Sequence, residues 1–201
     1  MAIRTDNSNR LQRPGAGLPW LERSAGLLLL KAVSIFLTER FGLKLFQQET
    51  ERILRLAEGD ESYDAFHPLL IPRVIGIEDS SRQWSVMMVL EHLCMTNTDM
   101  LNVIKALSDG IVPRGEIDVA LYKPTDDVGY DVLDRFRELN RQYVQTINRI
   151  LESRGNLSTS ERYKHPWFGD LSAKQWSFLA TLHMRIHRRQ IKKIIAMLGV
   201  T

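Results

Sequence analysis

The stretch from Trp176 to Gly199 constrains this chain more than any other. Within it Trp176, Leu179, Ala180, His183, Ile186, His187, Gln190, Ile191, Ile194 and Leu198 recur at three- and four-residue steps, which traces one stripe of an α-helix. The stripe is apolar apart from two histidines and a glutamine. Residues four apart lie about 40° apart around a helix and about 6 Å along it, so His183 and His187 can direct their imidazoles at one point inside the protein. A lone histidine on an apolar face is ordinarily a core residue bonded to a neighbour, whereas two at this spacing make half of a metal site.

The remaining pattern supplies partners for that helix. With 201 residues, 44% of them hydrophobic, and no linker-like composition, the chain reads as one helical domain over residues 20–201 behind an irregular arm, Met1 to Pro19. Trp20 to about Gly59 is helical, and Gly42 weakens continuity by ~1 kcal/mol relative to Ala. An accessory helix followed by a first core helix over about 43–58 is therefore expected. Asp60 to Asp79, with His67-Pro68, Ile71-Pro72 and Gly76, reads as a long connection. Ser80-x-x-Gln83 has the form of a capping box opening a helix over about 82–109. Pro113, Gly115 and Pro124 mark a second loop, and Val132, Phe136, Leu139, Tyr143, Ile147 and Ile150 give the stripe of a helix over about 127–154. Ser172-x-x-Gln175 caps the last helix, about 173–198, with Leu171 and Trp176 placed as a hydrophobic staple. Gly59, Gly110, Gly155 and Gly199 each follow a core helix. No stretch sustains strand alternation, so the expected class is all-α: a four-helix bundle with an additional N-terminal helix.

A third histidine belongs to the second core helix. His92 has apolar or small neighbours at helical spacing, so its imidazole points into the bundle. Three inward histidines on two helices are hard to explain as packing. Each buried imidazole needs partners for both ring nitrogens, and one shared cation satisfies a nitrogen of all three.

At this point the sequence resembles a family. W-S-x-x-M-x-L-E-H-L from Trp84 to Leu93, HPWFGDL-S-x-x-x-W from His165 to Trp176, and H-x-x-x-H-R-x-Q-I from His183 to Ile191 are similar to the DinB/YfiT-like superfamily of metal-binding four-helix bundles. The resemblance spans roughly Leu43 to Leu198 and is specific in the three histidines, their helices and the tryptophan ahead of the first. It implies that His92, His183 and His187 hold one divalent metal, and, since characterised members include thiol-dependent transferases and a hydrolase-like isomerase, it implies metal-dependent transfer or hydrolysis without naming a substrate. The first forty residues and the 60–79 connection have no counterpart in the motif.

Three neutral imidazoles leave an ion at +2 with an open position, the arrangement of catalytic zinc. Water or a low-molecular-weight thiol bound there ionises near neutral pH. Imidazole ligation suits zinc and nickel first, with iron or manganese as further options. Glu91 points about 100° away from His92 and suits an ion pair, while Asp99, two turns beyond His92, could orient a ligand from another helix or bind an arginine. Cys94 reads as an inert core thiol and Tyr143 as a core tyrosine able to reach a substrate. His165 and His67 read as turn and loop residues, and Met184 stands where a zinc protease helix carries glutamate.

Composition bounds the partners. Lysine and arginine exceed acids by only 27 to 24 and are scattered, and the densest basic group, Arg185, Arg188, Arg189, Lys192 and Lys193, suits a solvated face, so nucleic acid is not expected. One cysteine, a polar N-terminus without a signal pattern, and an apolar run, Gly26 to Leu37, that is short and contains Lys31 indicate a cytoplasmic chain without a membrane span. Two function classes follow. One is a metal-dependent enzyme acting on a small, thiol-containing or similar molecule; the other is an interaction protein whose metal or histidine core is structural. A homodimer through the Gly26 to Leu37 face is compatible with either.

Overall fold

The computed structural model describes residues 11–59 and 64–199. The first ten residues of the expected arm, residues 60–63 of the connection and the last two residues lie outside that range. The described chain runs through α1 (Trp20–Phe36), α2 (Glu39–Glu58), β1 (Leu69–Leu70), β2 (Gln83–Trp84), α3 (Val86–Ser108), α4 (Val132–Arg154), β3 (Tyr163–His165), β4 (Gly169–Leu171) and α5 (Ala173–Met197). It packs as a helical bundle. Helices α2 and α3 each lie against both α4 and α5, and α1 leans on α5.

The apolar stripes make the core. Phe46 and Ile53 of α2, Leu90, Leu93 and Ile104 of α3, Phe136 and Ile147 of α4, and Ile191 and Ile194 of α5 are all fully buried. Each such side chain contributes about 1.5–3 kcal/mol on leaving water. Tyr143 stacks on Phe46 with ring centroids 4.1 Å apart, deep in this core. Arg188, from the basic group on α5, crosses to Glu49 of α2, which is 5% exposed, so one member of that group ties two helices together rather than facing water.

Several boundaries differ from those expected. The break between the first two helices falls at Leu37 and Thr38, because the Thr38 hydroxyl accepts the Phe41 N–H at 3.3 Å and caps α2. Gly42 instead sits inside α2, where a Cβ would lie 2.7 Å from the Phe178 ring, so its role is close helix contact. The Ser80-x-x-Gln83 box does not open α3. Gln83 and Trp84 pair with Leu70 and Leu69 in an antiparallel ribbon, which removes their backbone from any helix. The cap is Ser85, whose hydroxyl accepts Met88 N–H at 3.1 Å. Helix α4 starts at Val132 rather than Asp127, after a turn in which Val132 N–H reaches Gly129 carbonyl. A second ribbon, Tyr163 paired with Leu171, precedes α5. Both ribbons are only two or three residues long, too short for alternation to register. Gly155 ends α4 at φ 80 as expected, whereas Gly59 ends α2 in extended backbone at φ −77.

The box at α5 is present: Ser172 hydroxyl accepts Gln175 N–H at 3.4 Å, and the Gln175 side-chain oxygen accepts Ser172 N–H at 3.0 Å. Replacing Ser172 by alanine should cost about 1 kcal/mol. Denaturant unfolding measures this, and an unchanged midpoint would mean the cap contributes nothing in solution.

Candidate metal centre

Helix α3 brings His92 and helix α5 brings His183 and His187 to one place, where their ligand atoms all lie within 4.8 Å of one another. His187 and His183 approach Nε2 to Nε2 at 3.0 Å, and His92 and His183 at 3.3 Å. Ligands held at 2.0–2.1 Å around a tetrahedral ion are spaced by about 3.3 Å. Two of the three nitrogen pairs, both through His183, thus stand at nearly that spacing, and the third pair lies within 4.8 Å.

The outer partners fix which nitrogens face inward. His92 Nδ1–H donates to the Tyr122 carbonyl at 2.6 Å. His187 Nδ1–H donates to the side-chain oxygen of Gln190 at 2.8 Å, and the Gln190 amide donates to the Ser81 carbonyl at 2.7 Å. A carbonyl only accepts, so the Ser81 contact sets the orientation of the Gln190 amide, and that orientation sets the tautomer of His187. Both rings therefore present Nε2 lone pairs to the shared point. Among neutral forms only His183 can place a proton there, one proton between two nitrogen contacts, so at least one contact opposes two lone pairs. A cation removes that conflict for all three. His183 Nδ1 is buried without a partner among the described residues.

Charge follows the same logic. Burial pushes the His92 pKa down to about 4, opposed by the Tyr122 carbonyl bond and assisted by nearby Lys123. Burial and the neighbouring imidazoles hold His183 and His187 well below the usual histidine range. All three are neutral at pH 7, the form in which imidazole ligates.

Two connections complete the surroundings. The turn Val119–Tyr122 folds back over α3, and Tyr122 hydroxyl donates to Asp99 at 2.6 Å. Asp99 therefore neither orients a ligand from another helix nor binds an arginine; it pins the residue whose carbonyl holds His92. Lys123 Nζ donates to Glu78 and, at 2.8 Å each, to the Ser80 and Ser81 hydroxyls. Trp84 lies between, 5.0 Å from the His92 ring, nearly parallel to the His187 ring at 6.2 Å, and under the Lys123 ammonium at 5.4 Å. A chain of contacts thus runs from His92 through Tyr122, Lys123, Ser81 and Gln190 to His187.

The other candidates fall outside this group. Glu91 faces Arg135 at 3.7 Å and accepts the Thr125 N–H at 3.2 Å, the ion-pair role its direction implied. Cys94 is buried with its pKa pushed up to about 12, an inert thiol. Tyr143 sits in the core and does not line the cavity over the histidines. His165 lines that cavity, accepts Trp167 N–H at 3.1 Å and stabilises the turn, while His67 is an exposed loop residue. The sequence reading missed Tyr122, Lys123 and Glu78. Tyr122 acts through its backbone, which leaves no mark on residue type, and Lys123 and Glu78 are distant in sequence with no periodicity linking them.

The histidines line the wall of a cavity of about 1110 Å³. Leu21, Ala25 and Leu29 of α1 form part of its wall, so the accessory helix contributes to the site. Among the described residues no helix is long and apolar enough to cross a membrane. No protein-family model matches the chain, and no curated protein matches it.

Proposed function

We propose that this chain is a metal-dependent enzyme of the DinB/YfiT-like kind, in which His92, His183 and His187 hold one divalent ion, zinc or nickel before iron or manganese. The observation that carries the reading is the convergence of three imidazoles within 4.8 Å, with His183 Nε2 at near-ligand spacing from both others and two of the rings aimed by carbonyl oxygens on their Nδ1 side. An ion there supplies Lewis acidity and lowers the pKa of water or a thiol bound to it. The protein's own part is to keep the histidines neutral, fix their tautomers through Tyr122 and Gln190, and enclose the reacting molecule beside them. Transfer or hydrolysis on a small molecule, with a low-molecular-weight thiol as one candidate nucleophile, fits that chemistry. The cytoplasm is the compartment such a thiol implies.

A second reading has its own observation. Trp20, Leu28, Ile35 and Phe36 of α1 are each more than two-thirds exposed, which suits a partner or a homodimer over a structural metal. Cobalt substitution separates the two. In the enzyme reading the visible spectrum shifts when a small thiol is added and again as pH rises and the open-position ligand ionises. Because protons compete with metal only below the depressed native histidine pKa values, cobalt should stay bound well below pH 6.5 and leave only as pH falls below about 4, the His92 value. A spectrum indifferent to thiol and pH would mean a closed site and favour the second reading.

A further inference from the structure

The cavity is far larger than an ion and a small nucleophile require. Its volume, about 1110 Å³, is slightly above the range of small-molecule sites, which run to about 1,000 Å³. The wall is mostly apolar, with Leu21 and Leu29 from α1, Ile75 from the connection, Met100 and Val103 from α3, and Leu182 from α5.

Most polar groups of the wall are already committed to one another. Glu22 takes Arg73 and the Gly76 N–H, Glu78 takes Lys123, and Asp99 takes the Tyr122 hydroxyl. Thr96 hydroxyl donates to the His92 carbonyl, Asp118 accepts Ala120 N–H, and Glu116 faces Lys164 at 3.4 Å. Beyond exposed Asn102 and the partly buried Trp167 and His165 rings, two kinds of group stand out. Within the wall, the Trp176 indole N–H and His183 Nδ1 are buried without partners, and Trp176 is only 2% exposed. At the edge, Arg185 and Arg189, one turn apart on α5, are exposed cavity-lining residues with no ion pair among the described residues.

We propose that the cavity takes an amphipathic organic anion, an aliphatic or aromatic body lying against α1 with its acidic group at the Arg185 and Arg189 edge. Apolar wall area favours the body, and two unpaired guanidinium groups favour the acid. This deepens the metal-site reading by naming a substrate class for the same cavity, and rests on that reading only for the chemistry, since binding of the body and acid needs no ion.

The test is calorimetric titration of the purified protein with dodecanoate, with metal content measured on the same sample. One dodecanoate should bind per chain with micromolar affinity, and dodecyltrimethylammonium at least tenfold more weakly. Ala25→Trp and Leu29→Trp, at exposed α1 positions that line the cavity, should each weaken dodecanoate at least tenfold with circular dichroism and metal content unchanged. The double variant Arg185→Ala with Arg189→Ala should weaken dodecanoate about tenfold and leave dodecanol binding alone. Absence of saturable dodecanoate binding by metal-containing protein overturns the inference while the metal reading stands. Equal affinity for the cationic chain, or unchanged affinity in both tryptophan variants or in the arginine double variant, also overturns it. Protein that binds dodecanoate as described but takes up no zinc or nickel when either is supplied supports the inference and removes the metal reading.

Discussion

Replacing His183 by alanine should abolish stoichiometric metal binding while leaving helical content intact. His183 is the nitrogen shared by both close contacts, 3.0 Å to His187 and 3.3 Å to His92, so its loss leaves two ligands without the one between them. The fall in affinity should exceed the roughly 10–100-fold that loss of an outer partner causes, because an inner ligand is removed. The fold has little stake in the ring: among the described residues His183 Nδ1 has no partner and its Nε2 meets only the other two imidazoles. Equilibrium dialysis against zinc, with circular dichroism on the same sample, reads both effects. His165→Ala is the control, since that ring accepts Trp167 N–H in a turn and should leave metal content unchanged. Full occupancy in the His183 variant would remove the proposed site.

The second large effect concerns stability. Glu78 is 5% exposed and Lys123 donates to it, to Ser80 and to Ser81. Burial alone would raise the Glu78 pKa, yet bonds from Lys123, the Gly17 N–H and Ser80 leave it below the usual carboxylate value, so the pair is ionised at neutral pH. Lys123→Met leaves that carboxylate buried and unpaired, at a cost of about 3–5 kcal/mol. For a chain of this size the melting temperature should drop on the order of 10 °C. Adding Glu78→Gln, which keeps an acceptor for Gly17 N–H, should recover most of the loss by removing the uncompensated charge. Metal affinity should fall as well, because Lys123 adjoins the carbonyl that holds His92 and bonds to the residue whose carbonyl orients Gln190. Thermal unfolding of the single and double variants decides this, and a single variant as stable as the parent would show that the pair does not act as a buried one.

Periodicity made the helices and the inward histidines legible because both depend on local spacing. The stripe from Trp176 to Leu198 places His183 and His187 on one face, and the apolar neighbours of His92 turn it inward; the structure brings these three together. The start of α3 was not legible, since Ser80-x-x-Gln83 matches the capping-box signature and Ser85, followed three residues later by Met88, does not. The choice is made by Leu69 and Leu70, which take Gln83 and Trp84 into a ribbon, and by Lys123, which bonds to Ser80 and Ser81. Such long-range competition overrides local propensity. The orienting role of Tyr122 was hidden for another reason: a backbone carbonyl is present at every residue. The part played by α1 in the cavity wall was likewise invisible, because exposed leucines on an amphipathic helix look the same whether they face a partner or a cavity.

The central claim is that His92, His183 and His187 form one metal site, and metal analysis of protein purified without chelator tests it most directly. About one divalent ion per chain should be present, removable by chelator and restored to the same stoichiometry when zinc or nickel is returned. Protein that takes up no divalent ion at micromolar concentrations, with its helical structure intact, would contradict the account.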